Sequence, residues 1–184
     1  MRKISFFSKF LIFFFIISLS NTNAEEWTIK SNEDLSFALV SGEITHGDSL
    51  SFFIRKNENC ETMWNTFSVY TYEKPKDINQ LLSKDIPIKL NGKELTASVQ
   101  DVRPFLMGYR VLFSLGHFPV KEYTYFLKEF YDEFQLYEIE IIDSKDFKAS
   151  KYFDIKVNNW KLDNLVTSIL EAYDKCNQLL LSKS

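Results

Sequence analysis

Apolar and polar residues alternate with a period of two in several short stretches of this chain, a pattern typical of β-strands with one buried face. In "LYEIEII", for example, Tyr137, Ile139 and Ile141 share one face, while Glu138 and Glu140 share the other. The alternating and β-branched runs predict about seven or eight strands, over residues 35–43, 49–56, 66–73, 86–90, 93–100, 108–116, 136–142 and 148–157.

Apolar residues recur at helical spacing in other stretches. A single stripe formed by Tyr123, Phe126, Leu127, Phe130 and Phe134 predicts an amphipathic helix over about 119–134. A second amphipathic helix is predicted over about 160–180, and a short helix over about 77–83, with Asp77 as its N-cap. Asn91-Gly92 between two extended runs predicts a type I′ hairpin turn. The order of elements indicates an α+β fold with a mainly antiparallel sheet.

The first 24 residues differ from the rest and predict a secretory signal peptide. They carry Arg2, Lys3 and Lys9 before the apolar run Phe10–Leu19, and a polar stretch then ends at Ala24. The apolar run is shorter than the roughly 20 residues that span a bilayer. We expect cleavage near Ala24 and a single exported domain over 25–184, either periplasmic or secreted. The alternative is an N-terminal anchor that is kept.

Charge narrows the classes of partner. Without residues 1–24, 19 basic residues face 25 acidic ones, a formal net charge of −6. A weakly acidic chain without a basic cluster argues against nucleic acid as a partner, and against electrostatic attachment to anionic lipid. No further apolar run is long enough to predict a membrane span in the mature chain.

The two cysteines, Cys60 and Cys176, both lie in the predicted exported part. An even count in an oxidising compartment predicts one disulfide, and Cys176 shares the apolar stripe of the last helix. The alternative is two buried free thiols. Two cysteines and two scattered histidines show no ligand spacing, so we predict no metal site.

Residues with catalytic potential are few. His46 and Asp48 flank Gly47 in "THGD", which is typical of a turn between two strands. The chain has no Gly-x-Ser-x-Gly elbow and no phosphate-binding glycine motif, and we predict no cofactor and no catalytic residue. His46, Asp48 and Trp160, in the cluster "VNNWKLDN", are weak binding candidates. A catalytic role for His46 or for His117 before the first long helix is the weaker alternative.

The arrangement of the whole chain resembles that of small exported bacterial proteins of the invasion-associated locus B kind and of type VI secretion accessory proteins. The resemblance rests on Trp27 after the signal, strands leading to Cys60, and "FDIKVNNWKLDNLVTSILEAYDKC" ending in the second cysteine. It implies an envelope protein without catalysis. We therefore expect a non-enzymatic exported domain that binds or helps assemble another envelope component. The alternatives are a small exported hydrolase and a carrier of a small apolar ligand, whose pocket the aromatic third strand would line.

Overall fold

One curled antiparallel sheet of nine strands organises the part of the chain that the computed structural model describes, residues 26–42 and 47–181. The strand order is β1-β2-β3-β4-β7-β6-β5-β8-β9. The strands are β1 Thr28–Ser31, β2 Leu35–Ser41, β3 Ser49–Arg55, β4 Thr62–Thr71, β5 Asp85–Leu90, β6 Lys93–Phe105, β7 Gly108–Pro119, β8 Leu136–Ile141 and β9 Val157–Lys161. The helices are α1 Val120–Phe134, α2 Ala149–Tyr152 and α3 Leu165–Leu181, with short 3-10 turns at Lys56–Glu58 and Ile78–Leu81.

The predicted α+β class and antiparallel sheet are confirmed, but the predicted number of strands is slightly low. Strand β1 was missed because four residues, half of them exposed, are too short to show a period. The stretch 148–157 was wrongly predicted as the last strand. It forms the short helix α2 and an irregular segment instead, and the last strand is Val157–Lys161.

The helix predicted over 119–134 is confirmed as α1, but the terminal helix begins later than predicted. Trp160 pairs with Tyr137 in the ladder between β8 and β9, so it belongs to a strand. A turn with Asn164 at a positive φ of 62° then starts the helix at Leu165. The predicted helix at 77–83 is only a 3-10 turn, and Asp77 provides no side-chain cap to it. The Asp77 carboxylate instead accepts hydrogen bonds from Lys151 and the Tyr152 hydroxyl.

The predicted hairpin at Asn91-Gly92 is confirmed, with positive φ values of 46° and 81° at the two turn residues. The Asn91 side chain also connects this hairpin to strand β8. Its Nδ2 donates to the Leu136 carbonyl at 2.8 Å, and its Oδ1 accepts from the Glu138 amide at 2.9 Å. These bonds fix one end of the sheet beside the C-terminal end of α1.

The core lies between the inner face of the sheet and helices α1 and α3. Helix α3 packs on β1, β2 and β3, and it buries Leu165, Ile169, Ala172 and Cys176. The predicted disulfide between Cys60 and Cys176 is confirmed, and both residues are fully buried. The bond links α3 to the segment between β3 and β4. Among the helices that the structure describes, none has the length and apolar character needed to cross a membrane.

Candidate functional site

Helix α1 carries more aromatic side chains than its contact with the core can bury. Leu127 and Val120 point into the core and are buried. Phe126 and Phe134, in the same predicted stripe, remain 49% and 39% exposed. The stripe is therefore wider than the core contact, and its outer edge lies beside the ends of strands β5, β7 and β8.

The rings along this edge contact one another in a continuous row. Phe118, at the end of β7, stacks on Tyr123 with ring centroids 4.1 Å apart, and Tyr123 stacks on Phe126 at 5.5 Å. Phe130 then contacts Phe134 at 4.8 Å and Tyr137 of β8 at 5.4 Å. Such contacts fix ring positions more firmly than area burial alone, because aromatic pairs have preferred geometries.

This row forms one wall of an open cleft of about 490 Å³, which we call the aromatic cleft. The opposite wall comes from the β5–β6 hairpin and from β7. The lining residues are Leu90, Asn91, Lys93, Leu95, Leu115, Phe118, Tyr123, Phe126, Phe130, Glu133, Phe134 and Tyr137. Among the described residues that line the cleft, only Lys93 and Glu133 are charged. The volume and the mainly apolar lining are those of small-molecule binding sites in proteins.

A buried polar group supports the base of the cleft. Asn65 of β4 is fully buried, and its Nδ2 donates to the hydroxyls of Tyr123 and Tyr137, each at 2.7 Å. Asn65 lies opposite Gly116 at a bulge between β4 and β7, and Gly116 has a φ of +125°. The bulge interrupts the regular register at this point, as bulges do where a side chain is re-aimed. We call Asn65, Tyr123 and Tyr137 the Asn–Tyr triad.

The triad tyrosines are held in their neutral form. Burial raises the pKa of Tyr137 well above its usual value, and the neighbouring Tyr123 raises it further. Burial also raises the pKa of Tyr123, although the hydrogen bond from Asn65 opposes this. Neutral phenols donate hydrogen bonds, but they are poor bases and poor nucleophiles near pH 7. The cleft is thus equipped to hold an apolar body, with hydrogen-bonding groups at its base.

The residues singled out from the sequence lie elsewhere. His46 lies outside the described residues. Asp48 is buried, and its Oδ1 accepts a hydrogen bond from the Tyr70 amide of β4 at 2.6 Å, which connects it to the neighbouring strand. Trp160 is fully buried against Phe67, with ring centroids 6.2 Å apart. Neither Asp48 nor Trp160 lines the aromatic cleft.

His117 is also outside the cleft lining. It lies near the end of strand β7, is exposed, and stacks on Trp64 at 4.9 Å. Across the described ranges, no three His, Cys, Asp or Glu side chains are grouped so that they could hold a metal ion.

The aromatic stripe of α1 is predictable from the sequence, but its periodicity predicts that the whole stripe faces the core. Asn65 was missed, because an isolated asparagine in a strand gives no periodic signal. The sequence signal for the cleft was the number of rings: the 15 residues of α1 include six aromatic side chains, more than one packing contact with the core needs. Comparisons of the chain with protein families, with curated proteins and with solved structures find no match.

Proposed function

We propose that this protein is an exported, non-enzymatic binding domain, and that the aromatic cleft binds an apolar part of another component of the cell envelope. The observation that carries the proposal is the half-exposed row of rings along α1. Large apolar side chains that stay in contact with water inside a concave site are typical of binding surfaces.

The form of the cleft supports binding rather than catalysis. Its base holds two neutral phenols and an amide, and its charged groups, Lys93 and Glu133, come from β6 and α1. The rings are fixed by mutual contacts and by the Asn–Tyr triad, so little ordering is required when a ligand enters. Such preorganisation increases affinity, because fewer side chains lose freedom on binding.

Export is supported by the sequence of residues 1–24 and by the disulfide, a bond typical of oxidising compartments. The test is N-terminal sequencing of the protein recovered from its native cells. We expect the chain to begin at or near Glu25. Recovery of a chain that begins at Met1 would favour a retained anchor.

The binding role is tested by replacing Phe126 with the photo-cross-linking residue p-benzoylphenylalanine in intact cells. Tyr125 is the matched control position, because it lies on the same helix, is 64% exposed and does not line the cleft. We expect irradiation to give a discrete larger product with the cross-linker at position 126 and none at position 125. Equal products at both positions, or no product at 126, would contradict the proposal.

A second function, that of carrier for a small apolar ligand, is favoured by one specific observation. The cleft volume of about 490 Å³ lies within the range of roughly 300–1,000 Å³ that is usual for pockets that bind drug-sized ligands. This function predicts that solvent extraction of protein purified from its native envelope releases an apolar molecule in near-stoichiometric amount. It also predicts that Phe126→Ser/Phe134→Ser protein releases much less, while Tyr125→Ser protein releases as much as wild type.

A further inference from the structure

The hairpin between β6 and β7 ends in two large apolar side chains that lie in solvent. The turn consists of Leu106 and Met107, between the paired residues Phe105 and Gly108. Leu106 is 72% exposed and Met107 is 70% exposed. Single exposed apolar residues are common on protein surfaces, but two adjacent ones at a projecting apex are a local patch.

The backbone of this turn is not suited to its residues. Leu106 has a positive φ of 49°, a left-handed conformation in which its Cβ atom lies unfavourably close to the following carbonyl oxygen. Two-residue hairpin turns therefore favour asparagine, aspartate and glycine, and the other tight hairpin of this sheet does use Asn91-Gly92. Folding alone would be better served by asparagine or glycine at position 106. The apolar residues there require another explanation, such as contact with another molecule.

A collar of aromatic and basic side chains surrounds the base of the turn. Arg103 and Arg110 face each other across the hairpin, and the Arg110 guanidinium lies 5.6 Å from the centre of the Phe105 ring. On the adjacent strand, Tyr70 contacts Phe105 at 5.9 Å and the exposed Tyr72 at 4.9 Å. One of the two arginines, Arg103, is also paired with Asp101.

The hairpin is also held firmly against its neighbour. Gly108 packs so closely on β4 that a Cβ atom there would overlap the carbonyl oxygen of Thr71. The apex is therefore presented on a fixed support, which reduces the ordering cost of any contact that it makes.

From this arrangement we propose that the β6–β7 hairpin is a membrane-interface anchor, which inserts Leu106 and Met107 among the acyl chains of a phospholipid bilayer. Tyrosine is enriched at the headgroup level of membranes, and arginine binds phosphate, so Tyr72, Arg103 and Arg110 match the layer just above the inserted apex. The protein carries a net negative charge after residue 24, so insertion of the apex, and not long-range attraction, drives this contact.

The anchor lies far from the aromatic cleft. The cleft is formed beside Lys93 and Phe118, whereas the anchor is at the other ends of β6 and β7. The lining residue nearest to the apex along a strand is Leu115 of β7, seven residues from Gly108, which at about 3.3 Å per residue is roughly 23 Å. The cleft and the anchor share no residue, and the proposed anchor does not depend on the proposed function of the cleft.

The test is co-sedimentation of the disulfide-bonded 25–184 chain with vesicles of phosphatidylethanolamine and phosphatidylglycerol. Wild-type protein should partition onto the vesicles. Leu106→Asn/Met107→Gly should partition roughly 10- to 100-fold more weakly, because two apolar side chains no longer insert. The matched control Leu170→Gln removes a half-exposed leucine on α3 and should partition like wild type.

Urea unfolding separates a loss of contact from a loss of fold. Asparagine tolerates the positive φ of position 106 better than leucine does, so the double variant should keep the fold. If the double variant is less stable than wild type, the single variant Met107→Gln replaces it in the partition assay. Met107 has no positive φ, so this substitution removes an apolar side chain without changing the backbone requirement of the turn. Failure of wild type to bind vesicles would overturn the proposal. So would equal binding by the apex variants, or an equal loss in Leu170→Gln, and each result would leave the cross-linking test of the cleft unaffected.

Discussion

The substitution Asn65→Leu tests whether the Asn–Tyr triad supports the cleft. Leucine has the same branching and the same number of side-chain heavy atoms as asparagine, with bulkier methyl groups, so the change removes hydrogen bonds without leaving a cavity. Two donated bonds are lost, each at 2.7 Å in the native protein. Both hydroxyls then lose the Asn65 donor, and among the described residues the hydroxyl of the fully buried Tyr137 keeps only its hydrogen bond with Tyr123.

The magnitude follows from these contacts. A buried polar group without its partner costs about 1–3 kcal/mol, and a partly accessible one costs about 1 kcal/mol. Leucine also removes the buried Asn65 Oδ1, which has no hydrogen-bond partner among the described residues. Its removal raises the free energy of unfolding by about 1 kcal/mol and so offsets part of the loss. We therefore expect Asn65→Leu to lower the free energy of unfolding by about 2 kcal/mol.

A second asparagine provides a matched control. Asn158 of β9 is buried to the same degree, but neither Nδ2 nor Oδ1 of its side chain has a partner in the described part of the chain. Asn158→Leu should therefore be neutral or stabilising, because leucine removes two polar atoms that are buried without compensation. The same substitution at two buried asparagines should thus have opposite effects.

The assay is urea unfolding followed by far-ultraviolet circular dichroism with the disulfide intact. In the Asn65→Leu background, Tyr137→Phe should raise the free energy of unfolding by about 1 kcal/mol or more, because it removes the buried hydroxyl that has lost the Asn65 donor. An Asn65→Leu cost no larger than that of Asn158→Leu would refute the role given to the triad. So would the absence of coupling between positions 65 and 137.

Three further predictions follow from the same structure. Replacing Cys60 and Cys176 by alanine should lower the free energy of unfolding by about 4–5 kcal/mol, because the loop closed by the disulfide is long; maleimide labelling of both thiols in unreduced, unfolded wild type would contradict this. The free energy of unfolding should fall as pH rises above about 10, because the Tyr137 phenol ionises there in the unfolded chain but keeps its proton when buried in the folded protein. Urea midpoints measured from about pH 9 to 11 should therefore decline less in Tyr137→Phe than in wild type. Gly108→Ala should cost about 1–3 kcal/mol, because its Cβ overlaps a backbone oxygen of β4, and an unchanged urea midpoint would count against that packing.

Local patterns predicted most of the fold. The alternation in β8, the turn at Asn91-Gly92 and the stripe of α1 each lie within one segment, and the structure contains all three. The disulfide was predictable because the chain has only two cysteines. The two edge strands of the sheet were harder to predict, because β1 is short and β9 is rich in asparagine. Their strand conformation depends on pairing with β2 and β8, which no local pattern reports.

The candidate site depended on information that the sequence does not display. Whether Phe126 faces the core or a cleft is decided by how far strands β5 and β7 extend beside α1, which is a tertiary property. Asn65 reaches its two tyrosines across 58 and 72 residues of sequence. The two histidines, by contrast, are candidates for a site only because histidine is rare in this chain and chemically versatile. Neither property determines which groups surround a residue in the folded protein.

The two proposed surfaces share a physical basis, since each departs from what folding alone favours. A helix that served only the core would place polar residues where Phe126 and Phe134 lie, and a hairpin that served only the sheet would use glycine or asparagine where Leu106 lies. Local rules of this kind are broken most often at functional sites, where another contact offsets the cost. The departures lie at opposite ends of β6 and β7, so the sheet acts as a spacer between them. If both proposals hold, the anchor fixes the domain to a bilayer by one end and the cleft is presented to ligands or partners at the other.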